Sequence, residues 1–171
     1  MKIVIINGYA RSGKDTFVQM VEEELVNHLV LNVSSVDEIK EIAIEYFGWD
    51  GVEKSTKTRQ LLSDLKILQT SYCDGPFNYM VRRINEFREV TTILEKAAIF
   101  LHIREVDEIR KMKSHYPDAI TVLMYRPDFE QDVISDIYNY PYDVTISNNG
   151  NLNDLRLKAK LFIENNELGR K

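Results

Sequence analysis

The sequence predicts a three-layer α/β fold built on a mainly parallel, five-stranded sheet. Short apolar runs rich in β-branched residues alternate with longer stretches whose apolar residues recur at helical spacing. That pattern belongs to a sheet covered by helices on both faces. The second observation is local. The run Ile3-Val4-Ile5-Ile6 leads into a glycine-bounded loop, Gly8-Tyr9-Ala10-Arg11-Ser12-Gly13-Lys14-Asp15-Thr16. Helical periodicity through Phe17, Val18, Val21, Leu25 and Val26 follows at once. Ligands of such sheets lie beyond the carboxyl ends of the strands, so the loops there are where chemistry is expected.

The loop matches the phosphate-cradling pattern G-x-x-x-x-G-K, with Asp15 in the usual Ser/Thr place and Thr16 after it. Strand, loop and helix in register distinguish it from a plain glycine turn with a solvated lysine, and they specify a P-loop NTPase fold. A phosphate chain carries several negative charges, which successive backbone N–H groups and a helix N-terminus can receive. Gly8 and Gly13 let the backbone approach the oxygens without a Cβ in the way. Lys14 is expected to bridge the β- and γ-phosphates of ATP. Thr16 is expected to bond a phosphate or stand near Mg2+, and Asp15 to cap the helix or hold a metal-bound water. The expected donor-binding set is Gly8, Arg11, Ser12, Gly13, Lys14, Asp15, Thr16 and Phe17, with Asp15 and Thr16 nearest the metal.

The 171 residues fit one domain, 1–171, with no repeat, linker or low-complexity segment to divide it. A hydrophobic content of 44% and a charged content of 29% are ordinary for a soluble globular chain. The formal charge of -5 argues against nucleic acid or an anionic membrane as partner, and it requires a polyphosphate site to be basic locally. Cys73 has no partner for an internal disulfide, no apolar run reaches membrane-spanning length, and the N-terminus enters a strand directly. A cytoplasmic location is expected.

After the first helix, Leu29-Val30-Leu31-Asn32-Val33 reads as a second strand. Ser34-Ser35 is expected to cap a helix over Asp37 to Phe47, with Val36, Ile39, Ile42, Ala43 and Tyr46 inside. Gly48-Trp49-Asp50-Gly51 breaks it. Thr58 to Gln69 reads as a helix with Leu61, Leu62, Leu65 and Leu68 inside, Asp74-Gly75-Pro76 as a turn, and Phe77 to Phe87 as another helix. Ala97 to Ile103 is the third strand, Val106 to Tyr116 a helix, Ala119 to Tyr125 the fourth strand and Val144-Thr145-Ile146 the fifth. A closing helix covers about Leu152 to Asn165, with Leu155, Leu157, Leu161 and Phe162 apolar.

The strand ends carry a coherent set: the phosphate loop, Ser34-Ser35, Arg104-Glu105, Arg126 and Asn148-Asn149-Gly150. Arg59 opens a helix, and Arg82 and Arg83 lie on the Phe77 helix, where a solvated face is the expected role. Phosphoryl transfer needs positive charge around the moving group and little covalent help, and arginine's planar fork suits it. Arg104 stands where the ligand crevice is expected; Arg126 is either there or a turn residue before Pro127. His28, His102 and His115 lack metal-ligand spacing. There is no N-K-x-D or D-x-x-G motif of GTPase switches, and no apolar strand ending in the magnesium-holding acid of motor ATPases. A small kinase fits this combination.

Several segments resemble phage-type deoxynucleoside monophosphate kinases. They are Ser12-Gly13-Lys14-Asp15-Thr16, Ser35-Val36-Asp37-Glu38-Ile39-Lys40, Phe47-Gly48-Trp49-Asp50-Gly51 with Thr58-Arg59-Gln60-Leu61-Leu62, Ile103-Arg104-Glu105 with Glu108-Ile109, and Asp143 to Gly150. The resemblance implies ATP-dependent transfer to a (deoxy)nucleoside monophosphate, with Arg59 on the acceptor phosphate and Asn148 by the donor base. Lys14, Arg59, Arg104 and Arg126 are then the expected catalytic set, Arg82 assists, and the protein is a monomer or homodimer. Two features depart from the family: His102 stands where an acid often precedes the arginine, and Pro127 to Tyr142 is short for a lid. Animal-type phosphomevalonate kinase is similar in its Ser-Gly-Lys-Asp loop and Asn-x-Gly end. Two alternatives therefore accompany the first: a nucleotide-binding module without transfer, and a kinase for a non-nucleotide phosphate acceptor.

Overall fold

Residue alternation along β1 (Lys2–Asn7) sets the architecture, since Val4 and Ile6 face one side of the sheet and Ile3 and Ile5 the other. The computed structural model describes residues 1–91, 97–127 and 135–168. After β1 come α1 (Lys14–Glu24), β2 (Leu29–Ser34), α2 (Asp37–Phe47), α3 (Thr56–Cys73), α4 (Gly75–Thr91) and β3 (Ala97–His102). Then follow α5 (Val106–His115), β4 (Ile120–Tyr125), a 3₁₀ turn (Ser135–Asn139), β5 (Val144–Ser147) and α6 (Leu152–Asn165). The five strands pair in the order β2-β3-β1-β4-β5, and every pairing is parallel. The expected sheet and its two helical layers are present.

On one face, Val4, Ile6, Phe100, Val122 and Met124 meet Phe17, Val18 and Val21 of α1 and Leu155 and Phe162 of α6. On the other, Ile3, Ile5, Ile99 and Leu101 meet Tyr79, Met80 and Ile84 of α4 and Ile109 and Met112 of α5. Each such side chain contributes about 1.5–3 kcal/mol by leaving water. α2 and α3 pack against each other and α4. Among the described residues, no helix is long and apolar enough to cross a membrane.

Several local expectations are corrected. Ser34-Ser35 does not cap α2: Val36 is the N-cap, and the Asp37 carboxylate reaches back to accept from the Ser34 N–H at 2.7 Å. α3 starts before Thr58 because the Ser55 hydroxyl accepts the Thr58 N–H at 3.2 Å, an N-cap. Asp74-Gly75-Pro76 shrinks to a single left-handed Asp74, φ 53, after which Gly75 and Pro76 already belong to α4, whose start tolerates proline. Tyr46 and Leu68, expected inside, are 72% and 63% exposed, whereas Lys66 is buried. Residues 128–134, within the short segment Pro127 to Tyr142, lie outside the described residues.

Candidate active site

β1 lies between β3 and β4, so the connections from β1 and β3 leave toward opposite sides of the sheet and open a crevice at the strand ends. The loop after β1 fills its floor. Gly8 has φ 148, and a Cβ there would overlap the backbone carbonyl of Met124. Gly13, at φ 93, is the N-cap of α1, and a Cβ there would overlap the Asn148 amide. Arg11 holds a left-handed φ of 67, an unfavourable conformation for a side-chain-bearing residue, concentrated where the loop must bend.

Side chains from the end of β1, from just past β5 and from the start of α1 brace this loop. Asn7 Oδ1 accepts the Gly8 N–H at 2.6 Å, and its Nδ2 donates to the Arg104 carbonyl at 3.1 Å and the Tyr142 hydroxyl at 2.7 Å. Asn148 Nδ2 donates to the Ser12 carbonyl at 2.9 Å. The Lys14 ammonium folds back on the loop, donating to the carbonyls of Gly8 at 2.6 Å and Tyr9 at 2.8 Å. Burial away from water pulls Lys14 down to about 8; Asp15 opposes this and Arg104 adds to it. Ser12 Oγ is buried at the base of the loop and has no hydrogen-bond partner among the described residues.

The crevice encloses about 1320 Å³, more than the 300–1,000 Å³ of a typical single-ligand pocket, so it has room for a donor and an acceptor together. Gly8, Arg11, Gly13, Lys14, Asp15, Thr16, Arg59, Arg104, Arg126 and Asn148 all line it. Lys40, Lys54 and Lys66 add to its walls, against the carboxylates of Asp15, Asp37 and Glu105. Within a chain of net charge -5, this cleft is basic.

Three residues from the sequence reading lie elsewhere. Phe17, expected at the donor, is fully buried in the core with its ring 5.5 Å from that of Phe162, because the first turn of α1 points it at the sheet. Ser12 is buried beneath the crevice and meets it through the loop backbone. Arg82 does not line the cleft: it pairs with Glu38 at 2.8 Å on the outer surface and lies over the Tyr79 ring. Residues the sequence reading missed are Asn7, Lys54 and Lys66. Lys66 follows Arg59 by seven residues, two helical turns, and that spacing puts both on one face of α3.

The metal expectation meets a compatible donor set. Mg2+ takes oxygen ligands, keeps several waters and borrows phosphate oxygens, so one or two protein oxygens suffice. Asp15 stands at the cleft with its side chain 95% exposed, and Thr16 lines the same wall. His102 Nδ1 is 3.6 Å from Asp15. Burial holds this imidazole below its ordinary range, with the Asp15 charge opposing, so it stands neutral beside the carboxylate at pH 7. Among the described residues, no three or more His, Cys, Asp or Glu side chains are grouped to hold a metal.

No family model matches the sequence. No curated protein is similar to it in sequence. Likeness emerges in three dimensions. TT1252 from Thermus thermophilus superposes with a TM-score of 0.52, covering 96% of this chain and 97% of its own at 18% identity. A shikimate kinase from Aquifex aeolicus (TM-score 0.46, 16% identity, 99% and 100% covered) and a sugar kinase from Janibacter sp. HTCC2649 (0.49, 11%, 100% and 99%) are more loosely similar. At such identities the likeness is one of fold. The fold and loop define the class: a three-layer α/β fold with an all-parallel five-stranded sheet and a glycine-bounded phosphate loop between β1 and α1.

Proposed function

We propose that the protein is an ATP-dependent kinase that transfers the γ-phosphoryl group to a (deoxy)nucleoside monophosphate, giving the diphosphate. One observation carries the reading: a phosphate loop with its lysine shares a single roomy cleft with Arg59, Arg104 and Arg126, which come from three different elements. A phosphate acceptor is already anionic, so transfer needs neutralisation and alignment rather than a base. The loop amides and Lys14 hold the donor phosphates, exchanging the carbonyls of Gly8 and Tyr9 for phosphate oxygens. Arg59 clamps the acceptor phosphate, and Arg104 neutralises both anions as an acceptor oxygen bonds to Pγ. The bond from Pγ to the bridging oxygen breaks, and its electron pair leaves on ADP. Arg126 closes on the donor side; an arginine so used is worth about 10³–10⁵ in rate. Asn148 ties the end of β5 to the loop on the side assigned to the adenine. Asp15 and Thr16 would hold Mg2+, which would supply charge neutralisation to the donor phosphates.

The test is ADP release from ATP and Mg2+ with each ribo- and deoxyribonucleoside monophosphate added in turn. Stimulation by one or a few acceptors, lost in Lys14→Ala, is expected; full turnover in Lys14→Ala would refute the assignment. A second reading, a nucleotide-binding module without transfer, is favoured by the neutral His102 beside Asp15. It predicts ATP binding with no stimulation by any acceptor. A non-nucleotide phosphate acceptor predicts the same inertness toward nucleotides but turnover with another phosphate monoester.

A further inference from the structure

One cluster in the cleft is not used by phosphoryl transfer itself. Lys66, on α3, is buried, with 11% of its side chain exposed. Its ammonium donates to Ser35 Oγ at 3.2 Å, to Glu108 at 3.0 Å and to Glu105. An ammonium has three N–H groups, and these partners use all of them. Lys66 is therefore not a spare cation for phosphate; it is a fixed mount for two carboxyl groups. Glu105 is the more open of the two, with 48% of its side chain exposed against 13% for Glu108, and it lines the cleft directly after Arg104.

The position along α3 gives the cluster its meaning. Arg59 and Lys66 share one helix face about 10.5 Å apart along the axis. With the acceptor phosphate on Arg59, an acceptor laid along this face of α3 would bring its base to the Lys66 cluster. An ionised carboxylate only accepts hydrogen bonds, so it selects a base edge that donates and disfavours one that presents carbonyls. Burial pushes Glu108 up to about 7, with Lys66 opposing and Glu105 adding, while Lys66 draws Glu105 below its ordinary range despite burial. The open member of the pair is thus the one that keeps its charge.

We propose that Glu105, mounted by Lys66 and Glu108, reads the base of the acceptor by accepting an N–H from an amino-bearing edge. Adenine, guanine and cytosine monophosphates are then preferred over those of uracil and thymine, which lack an amino group and whose one imide N–H is flanked by two carbonyls that repel the carboxylate. The inference rests on the nucleoside monophosphate kinase reading. A purely structural buried pair would instead affect folding and leave the choice of acceptor alone.

The experiment is kcat/KM for dCMP against dTMP and for CMP against UMP, in wild type, Glu105→Gln and Glu105→Asp, with the ATP KM and melting temperature recorded for each. Wild type should favour the amino-bearing acceptor by roughly 10- to 100-fold, the worth of one hydrogen bond to a charged group. Glu105→Gln, whose amide also donates, should narrow that ratio at least about fivefold while the ATP KM stays within about twofold. Glu105→Asp withdraws the carboxylate by one methylene and should narrow the ratio in the same direction. No turnover of any nucleoside monophosphate by wild type would overturn the reading and this inference together. Turnover without amino preference, or variants that change both acceptors alike, would overturn the inference and leave the reading standing. The wild-type comparison decides even if a variant fails to fold.

Discussion

The Asn148 side chain donates to the backbone carbonyl of Ser12 across 136 positions of sequence, at 2.9 Å. It closes the last strand onto the loop that follows the first. Asn148→Ala should therefore weaken ATP binding roughly 3- to 10-fold, the worth of one neutral hydrogen bond. Calorimetric titration of ATP against both proteins checks it; an unchanged Kd would mean the loop holds its shape without the clasp.

The two glycines of the loop should fail in different ways. At Gly13 an added Cβ meets the Asn148 amide, a side chain that can swing away, so Gly13→Ala should fold and lose most ATP affinity. At Gly8 it meets the Met124 backbone carbonyl within β4, which cannot move without disturbing the sheet. Gly8→Ala should lower the melting temperature more than Gly13→Ala does, read by thermal unfolding without nucleotide.

Glu108 gives the protein a pH signature. Burial raises its carboxyl to about 7, above the ordinary carboxyl range. Between that range and about 7, the folded chain keeps a proton that the unfolded chain releases, so this group's contribution to stability falls as pH rises. Glu108→Gln removes the ionisation. Its melting temperature relative to wild type should be more favourable at pH 8 than at pH 5, and a constant difference across that window would contradict the assignment.

Phe17 separates core from site. Phe17→Ala should cost about 3–5 kcal/mol of stability by denaturant unfolding. The ATP affinity of the fraction that remains folded should be unchanged, because the ring packs on Phe162 and does not line the cleft.

These contrasts mark what the sequence could convey. The strands were legible because β-branched runs such as Ile3 to Ile6 have few other uses, and the loop because glycine and lysine spacing reports a backbone shape. Topology places Arg104 and Arg126, because a parallel sheet brings its carboxyl ends together whatever the intervening sequence, whereas Arg59, on α3, follows from the family resemblance alone. Lys66 escapes both routes, because its burial depends on Glu105 at the N-cap of α5 and Glu108 within it, partners that no periodicity within α3 reveals. Phe17 was misjudged through adjacency to the motif, although the period of α1 already points it inward. Leu68 and Tyr46 were misjudged for the opposite reason: helical spacing names an apolar stripe but not how far its cover extends.

Lys14 already has company within its own loop: its ammonium satisfies the carbonyls of Gly8 and Tyr9. Any anion that enters competes with the protein's own oxygens. On the proposed function, a bound phosphate chain must displace both carbonyls from the ammonium, so the loop's own backbone sets the lower limit of affinity that a ligand has to exceed.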